Sequence, residues 1–478
     1  MVKTENNKGF LQDMGWYLGG AVVPMAVGFF KTPIFTRYFT PEEYGYLGLI
    51  MITFSYISIF LYSWLSSCLW RYYNAYKLKN DLKSLYSNLL AIFVGTSVVL
   101  LLITLIWLGL AKQALVKQLI IYSFVQYFIK ELIGLYLIVI RLEGKAVKYN
   151  LIHSSRAILG FGLLYVMTFG FGYRITSVIT STIVIDLLAF AYIFLGGMKN
   201  ISVSIKSISG ETLRVLFKYG SAGLVAGFSF LLITSSDRYI IALFTDMATV
   251  GIYNQAYNIS QLSVVALITV YFNTFNPALT RELEVNLKGS DKLISRYLFV
   301  YVLFGLPLIT YFSIFSKEMA MLLLGEEFRS GYIIMPWVFI SAFVYGLNMF
   351  IEIKLKFADQ IKFLAIGVLL AAGFNIALNF ALIPVYGYEM AAITTLVAYL
   401  FLFVFFVLRD QVGFFRNSYY LKQVLLFAVV IALQVLADKI IRVYYPLNVF
   451  ETILEGILFF AVYIFIFRKK IINIKLPV

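Results

Sequence analysis

The sequence predicts an all-α integral membrane protein of about fourteen transmembrane helices, and three observations predict it. The 478 residues are 61% hydrophobic and only 13% charged, against roughly a quarter charged in a soluble domain. Their mean hydropathy is +0.88, too apolar for water-soluble packing to hide. Runs such as 89–110, 361–384 and 390–408 each approach the ~20 residues that cross ~30 Å of hydrocarbon.

In chain order the apolar runs place spans near 14–37, 46–69, 86–110, 118–140, 149–171, 176–197, 219–244 and 251–275. The remaining spans fall near 297–315, 331–353, 362–383, 388–408, 421–438 and 449–467. The polar start, 1–13, leads into a full-length span rather than a short apolar core with a small-residue cleavage site, so an uncleaved N terminus is expected. With both termini in the cytoplasm, roughly 27 of the 39 Lys and Arg residues fall on the cytoplasmic side, roughly 8 outside and roughly 4 within spans, as the positive-inside rule requires. Lys77, Lys79 and Lys83, then Lys354, Lys356 and Lys362, then Arg468, Lys469 and Lys470 anchor that orientation. The longest loops, near 199–218 and 277–296, both face the cytoplasm, which leaves no extracytoplasmic domain.

Composition also excludes functions. Cys68 is the single cysteine and His153 the single histidine, so no internal disulfide, zinc site or other cofactor is expected. The net charge of +15 is spread over short loops rather than gathered on one basic face, which argues against a nucleic-acid partner. Short loops without clustered carboxylates argue against an enzyme.

Two echoes divide the chain. Phe39, Thr40, Gly45 and Tyr46 after the first span match Phe244, Thr245, Gly251 and Tyr253 after the seventh. Gly172 and Tyr173 before the sixth match Gly387 and Tyr388 before the twelfth. Separations of about 206 and 215 residues indicate two pseudo-symmetric six-helix bundles, 1–200 and 201–412, with two further helices in 413–478. Two such bundles enclose a central cavity whose access alternates, with binding near the midplane.

An ionisable side chain costs a few kcal/mol in hydrocarbon, so those within spans should face a cavity or a partner. They are Lys31 in the first span, Lys130 and Glu131 in the fourth, Arg156 in the fifth, Asp186 in the sixth, and Asp237 and Arg238 in the seventh; Arg37 closes the first. Matching Phe39 with Phe244 sets Lys31 and Arg238 within a residue or two of related depths, as a cationic pair on one vestibule of slightly positive net charge. The competing reading is structural: internal salt bridges of Lys31, Arg156 or Arg238, for example with Asp186 or Asp237, and snorkelling for Arg37. Lys130 and Glu131, about 100° apart on a helix, cannot pair with each other, which leaves one to face a neighbouring bundle. Asp186 and Asp237 are candidates for a coupling proton or sodium ion, and His153 reads as a hydrogen-bonded structural residue. Asn375 and Asn379, four apart on one face, fit either a sugar contact or interhelical hydrogen bonding.

Three segments carry a family resemblance. TPIFTRYFTPEEYGYLGL from Thr32, SSDRYIIALFTDMATVGIYNQAYNIS from Ser235 and FNIALNFALIPVYGYEMAAITT from Phe374 occur in an order and spacing that resembles the polysaccharide transporter family. That family includes the O-antigen and other lipid-linked oligosaccharide flippases of the multidrug, oligosaccharidyl-lipid and polysaccharide exporter superfamily. Met390 stands where that family usually has Gly, and Ala222 and Gly223 where a Pro commonly begins the seventh span. The resemblance implies a flippase that carries a polyprenyl-diphosphate-linked oligosaccharide repeat unit, for O-antigen, capsule or a related glycan, from the cytoplasmic to the outer leaflet of a bacterial inner membrane. Lys31, Arg37, Lys130, Arg156 and Arg238 are then the expected headgroup contacts. The gaps beside the first and eighth spans are the expected portals, and a glycan polymerase with other assembly proteins the expected partners besides membrane lipids. Alternatives of the same superfamily are a peptidoglycan lipid precursor flippase and a cation-coupled multidrug exporter.

Overall fold

A computed structural model describes residues 7–197, 201–285, 291–409, 417–445 and 447–472. The domain boundaries expected at 200 and 412 lie outside them. Helices account for nearly all of the chain, and no strand occurs among the described residues. Among the described residues twelve helices are long and apolar enough to cross a membrane, which makes this a multi-pass membrane protein.

The long helices are α1 (Asn7–Phe35), α2 (Pro41–Leu78), α3 (Leu82–Leu110), α4 (Ala114–Leu142), α5 (Ala146–Gly170) and α6 (Ser177–Gly196). A short amphipathic α7 (Gly210–Gly220) follows, then α8 (Leu224–Ser235) and α9 (Asp237–Phe244). Next come α10 (Met247–Val285), α11 (Asp291–Ile314), the short α12 (Ser316–Leu323) and α13 (Met335–Phe357). The last are α14 (Ile361–Tyr386), α15 (Met390–Arg409), α16 (Ser418–Tyr444) and α17 (Val449–Ile472).

The expected count of fourteen exceeds the twelve by the first and eighth spans. The described apolar stretch of the first runs only over Val22–Phe35, and α10 interrupts its apolar residues with Asn254, Gln255, Asn258, Ser260 and Gln261. The seventh span counts among the twelve as Gly227–Phe244, with a one-residue break inside it. A 3-10 turn over Ser221–Gly223 precedes α8, at the place where Pro was expected from the resemblance, and Ser236 separates α8 from α9.

Local chemistry sets the helix ends. Pro41 opens α2 with Glu42 and Glu43 in its first turn, where a missing N–H costs nothing and the helix dipole favours acids. Gly172 and Gly387, the paired glycines of the internal repeat, both take positive φ, 70° and 88°. An L side chain is disfavoured in that region, so the two turns share a backbone requirement as well as a sequence echo. α2 and α5 each contain a five-residue π-helical turn, at Ile59–Ser63 and Val166–Gly170, and a third at Ile193–Gly197 closes α6, a widening often met at functional sites.

The chain forms two compact units, Met1–Lys31 with Glu42–Leu231, and Thr32–Pro41 with Leu232–Val478. Within unit 1, α4 packs on α2, α3 and α6, and α5 packs on α6. Tyr127 donates to Met51 O at 2.9 Å and Tyr62 pairs with Ser97 at 2.9 Å, each linking neighbouring helices at a net gain of ~1 kcal/mol. α7 belongs here because Gly220 lies against Trp64, where an added Cβ would fall 2.7 Å from the ring. Much of the outward face is apolar, with Leu102, Leu105 and Ile106 of α3 more than half exposed, as lipid contact requires.

Within unit 2, α13 packs on α10, α11 and α15. Asn348 donates to Val344 O and Tyr399 O, both at 3.2 Å. The last two helices are fastened to α11: Tyr311 donates to Gln434 at 2.5 Å and Tyr463 to Leu303 O at 3.0 Å.

Candidate functional site

Unit 1 holds a cavity of about 470 Å3 whose wall is built from α1, α4, α5 and α6. Lys31 comes from α1, Gln126, Lys130 and Glu131 from α4, His153 and Arg156 from α5, and Ser181, Thr182 and Asp186 from α6. Gln126 and Lys130 are four residues apart, His153 and Arg156 three, Thr182 and Asp186 four, the spacings that bring side chains to one helix face. Gly134 of α4 and Gly160 of α5 also line it, and no atom lies within 4 Å of a Cβ built on either. The missing side chains keep the cavity open.

The wall combines one closed ion pair with free cations. Arg156 Nε donates to Asp186 Oδ1 at 2.8 Å and its Nη2 lies 2.7 Å from the same oxygen. Asp186 Oδ2 is buried and has no hydrogen-bond partner among the described residues. Glu131 accepts from Ser58 at 2.7 Å. Lys130 Nζ sits 4.6 Å from the Tyr127 ring centre, a cation–π distance that leaves its N–H donors available. Lys31 has no ion-pair or hydrogen-bond partner among the described residues. Three cations therefore face two carboxylates, one already paired, and the surplus charge on Lys31 and Lys130 suits an anion. Gln126, whose Oε1 is also without a partner among the described residues, adds a neutral polar group with Ser181 and Thr182.

Four of the expected residues, Lys31, Lys130, Arg156 and Asp186, thus share one wall. Lys130 and Glu131 both line it. His153 makes its expected structural bond, Nδ1 to Gly20 O at 3.0 Å, and stacks on Tyr149 with ring centres 5.5 Å apart.

The other expected residues lie in unit 2. Arg238, expected on a vestibule beside Lys31, is only 3% exposed. Its Nη1 lies 2.7 Å from Asp237 Oδ1 and donates to Thr234 O at 2.5 Å, with its guanidinium carbon 4.1 Å from the Tyr257 ring centre. Tyr253 donates to Asp237 Oδ2 at 2.5 Å. The pairing is the salt bridge that the sequence left open beside the vestibule reading, and a carboxylate, a carbonyl and two aromatic rings enclose that charge. Asp237, expected as an ion-coupling carboxylate, is the other half of the pair. Arg37 is exposed, and its guanidinium donates to the carbonyls of Pro33 and, at 2.9 Å, Leu322. Asn375 and Asn379, both fully buried, bond to each other at 3.1 Å, and Asn379 accepts from Thr394 of α15, so they join α14 to α15 instead of facing a ligand.

Sequence reasoning does not single out Gln126, Thr182, Gly134 or Gly160. The available signal is their separation of about one helical turn from Lys130, Asp186 and Arg156.

The sequence profile of the family described as "Polysaccharide biosynthesis protein" matches residues 10–281, more than half of the chain. A relative from Haloferax volcanii, "Probable low-salt glycan biosynthesis flippase Agl15", is 22% identical over 203 residues, 42% of this chain and 43% of that protein. The alignment thus spans less than half the length of that relative. Among solved structures, lipid II flippase MurJ in an inward closed conformation superposes with a TM-score of 0.75 at 14% identity, covering 95% of this chain and 99% of that one. An inward-facing multidrug resistance MATE family transporter of the MOP superfamily gives 0.66 at 15% identity, covering 84% and 96%. At such identities the likeness is one of fold.

Proposed function

We propose that this chain, which belongs to the polysaccharide biosynthesis protein family, is a flippase that moves a polyprenyl-diphosphate-linked oligosaccharide across the membrane. The observation that carries the reading is the convergence of Lys31, Lys130 and Arg156, from three helices, on one cavity in a membrane-spanning unit. A diphosphate is the common anionic part of such lipids, and charge-assisted bonds to it are roughly twice as strong as neutral ones. Gln126, Ser181 and Thr182 supply hydrogen bonds of the kind a sugar uses. Asp186 holds Arg156 in place and, with Oδ2 unbonded, is the group that takes up a coupling proton.

The headgroup moves from the cytoplasmic to the outer leaflet of the inner membrane by alternating access, with both termini in the cytoplasm and a glycan polymerase receiving the product. O-antigen or capsule units are the expected cargo. Outward movement of about two negative charges is downhill in an inside-negative cell by ~2.3 kcal/mol per charge per 100 mV. The test neutralises the wall: Lys31→Gln, Lys130→Gln, and Arg156→Gln combined with Asp186→Asn so that no carboxylate is stranded. Surface glycan is measured at matched protein level. Reduced export in each supports the reading, and normal export from all three overturns it.

A further inference from the structure

A second cavity of unit 1, about 690 Å3, runs along the outside of α5 and α6. It begins at Lys145 and Lys148, at the start of α5, and follows that helix to Leu159, a rise of roughly 20 Å at 1.5 Å per residue. Apart from those lysines, Ser155 and Arg156, its side chains are mainly apolar. Leu151, Leu159 and Leu188 face outward at 59%, 56% and 61% exposure, as for a groove open to hydrocarbon. Its inner end shares two residues with the polar cavity, Arg156 and Ile185. One guanidinium therefore borders both an apolar channel and a polar chamber.

An amphiphile with an anionic head has a use for both. Lys145 and Lys148 stand at the helix start and Arg156 about two turns further in, with Leu151 and Ile152 between them and Leu159 beyond. A free sugar phosphate gains nothing from the leucines. A lipid phosphate gains from the whole length, because its chain stays in hydrocarbon as the phosphate passes from one cation to the next. The lysines are held for this by light tethers, Lys145 Nζ 2.7 Å from Glu143 and Lys148 donating to Tyr136 at 3.0 Å.

We propose that the α5–α6 groove is the side opening through which the prenyl-phosphate carrier reaches the polar cavity, its first isoprene units lying against Leu151, Leu159 and Leu188 as its phosphate meets Arg156. This rests on the flippase reading and places the opening between the fifth and sixth helices, away from the gaps expected beside the first and eighth spans. Photocrosslinking tests it. Leu159 or Leu188 is replaced by p-benzoylphenylalanine in the full chain, with Leu425 of α16, 66% exposed, as the lipid-facing control. Membranes containing each protein receive radiolabelled undecaprenyl diphosphate and are irradiated.

Capture from the groove positions should exceed that from Leu425 by about fivefold or more, a preference of ~1 kcal/mol. Adding Arg156→Gln with Asp186→Asn should bring it back toward the control. Equal capture at groove and control positions overturns the proposal, and so does selective capture of phospholipid in place of the prenyl lipid. The two readings fail separately. Normal glycan export by the neutralised-wall variants removes the flippase reading, whereas lost export with equal capture removes only the groove.

Discussion

Asp186 shows what a single residue contributes to this site. Its Oδ1 carries the whole ion pair with Arg156 while Oδ2 stays buried and unbonded, so removing the arginine leaves a buried carboxylate without its hydrogen-bonded partner. Breaking such a pair from one side costs about 3 kcal/mol or more, whereas removing both charges is often neutral. Arg156→Gln alone should therefore lower the thermal unfolding midpoint of the purified protein, and Asp186→Asn added to it should restore the midpoint without restoring export. A double variant as unstable as the single one would mean that Arg156 contributes through packing. The same reasoning separates Arg238 from the wall cations. Asp237 and Arg238 neutralise each other inside unit 2, so Asp237→Asn with Arg238→Gln should keep surface glycan within about twofold of wild type. Asp237→Asn alone strands the arginine and should reduce the amount of folded protein in the membrane. Loss of export from the double variant at full protein level would return Arg238 to the headgroup.

At the scale of the helix, the cavity depends on residues that are absent as much as on those present. Gly134 and Gly160 face it with no atom within 4 Å of where a Cβ would stand, and glycine in a helix interior costs roughly 1 kcal/mol relative to alanine. Gly160→Leu should fill the space, hold or raise the unfolding midpoint, and cut export several-fold; export at the wild-type level would show that the cargo does not use this chamber. These glycines mark the limit of what the sequence made legible. Charges inside apolar runs stand out because each is costly in hydrocarbon, and so Lys31, Lys130, Arg156 and Asp186 were readable one by one. Which of them meet depends on how α1, α4, α5 and α6 pack, and no periodicity encodes that. Arg156 with Asp186 and Arg238 with Asp237 were equally available as pairs or as open charges, and the second pair proved sealed by Tyr253 and Tyr257. Helix ends were more legible, since Pro41 and the repeated Gly172 and Gly387 impose their backbone geometry locally.

Across the whole molecule, the apolar runs announced the multi-pass architecture and nearly all of its helix positions, because a span of hydrocarbon demands a fixed length of apolar chain. The first and eighth expected spans fall on α1 and α10, both long helices, but the polar residues of α10 dilute its apolar run. Orientation is a separate question, carried by loop lysines and arginines rather than by helices. It also decides which leaflet the α5–α6 groove faces, because Lys145 and Lys148 lie at its surface end. The single cysteine makes the matter easy to test. Cys68 is buried, its Sγ donating to Leu216 O at 3.2 Å, so Cys68→Ser gives a background without thiols at the cost of one weak bond. Into it go single cysteines at Lys79 and Lys145, expected inside, and at Lys112 and Tyr173, expected outside. A membrane-impermeant maleimide should label Lys112→Cys and Tyr173→Cys in intact cells, and Lys79→Cys and Lys145→Cys only after permeabilisation. The reverse pattern would invert the chain and open the groove to the outer leaflet. The carrier would then meet its cationic end only after crossing, and the groove would serve release in place of loading.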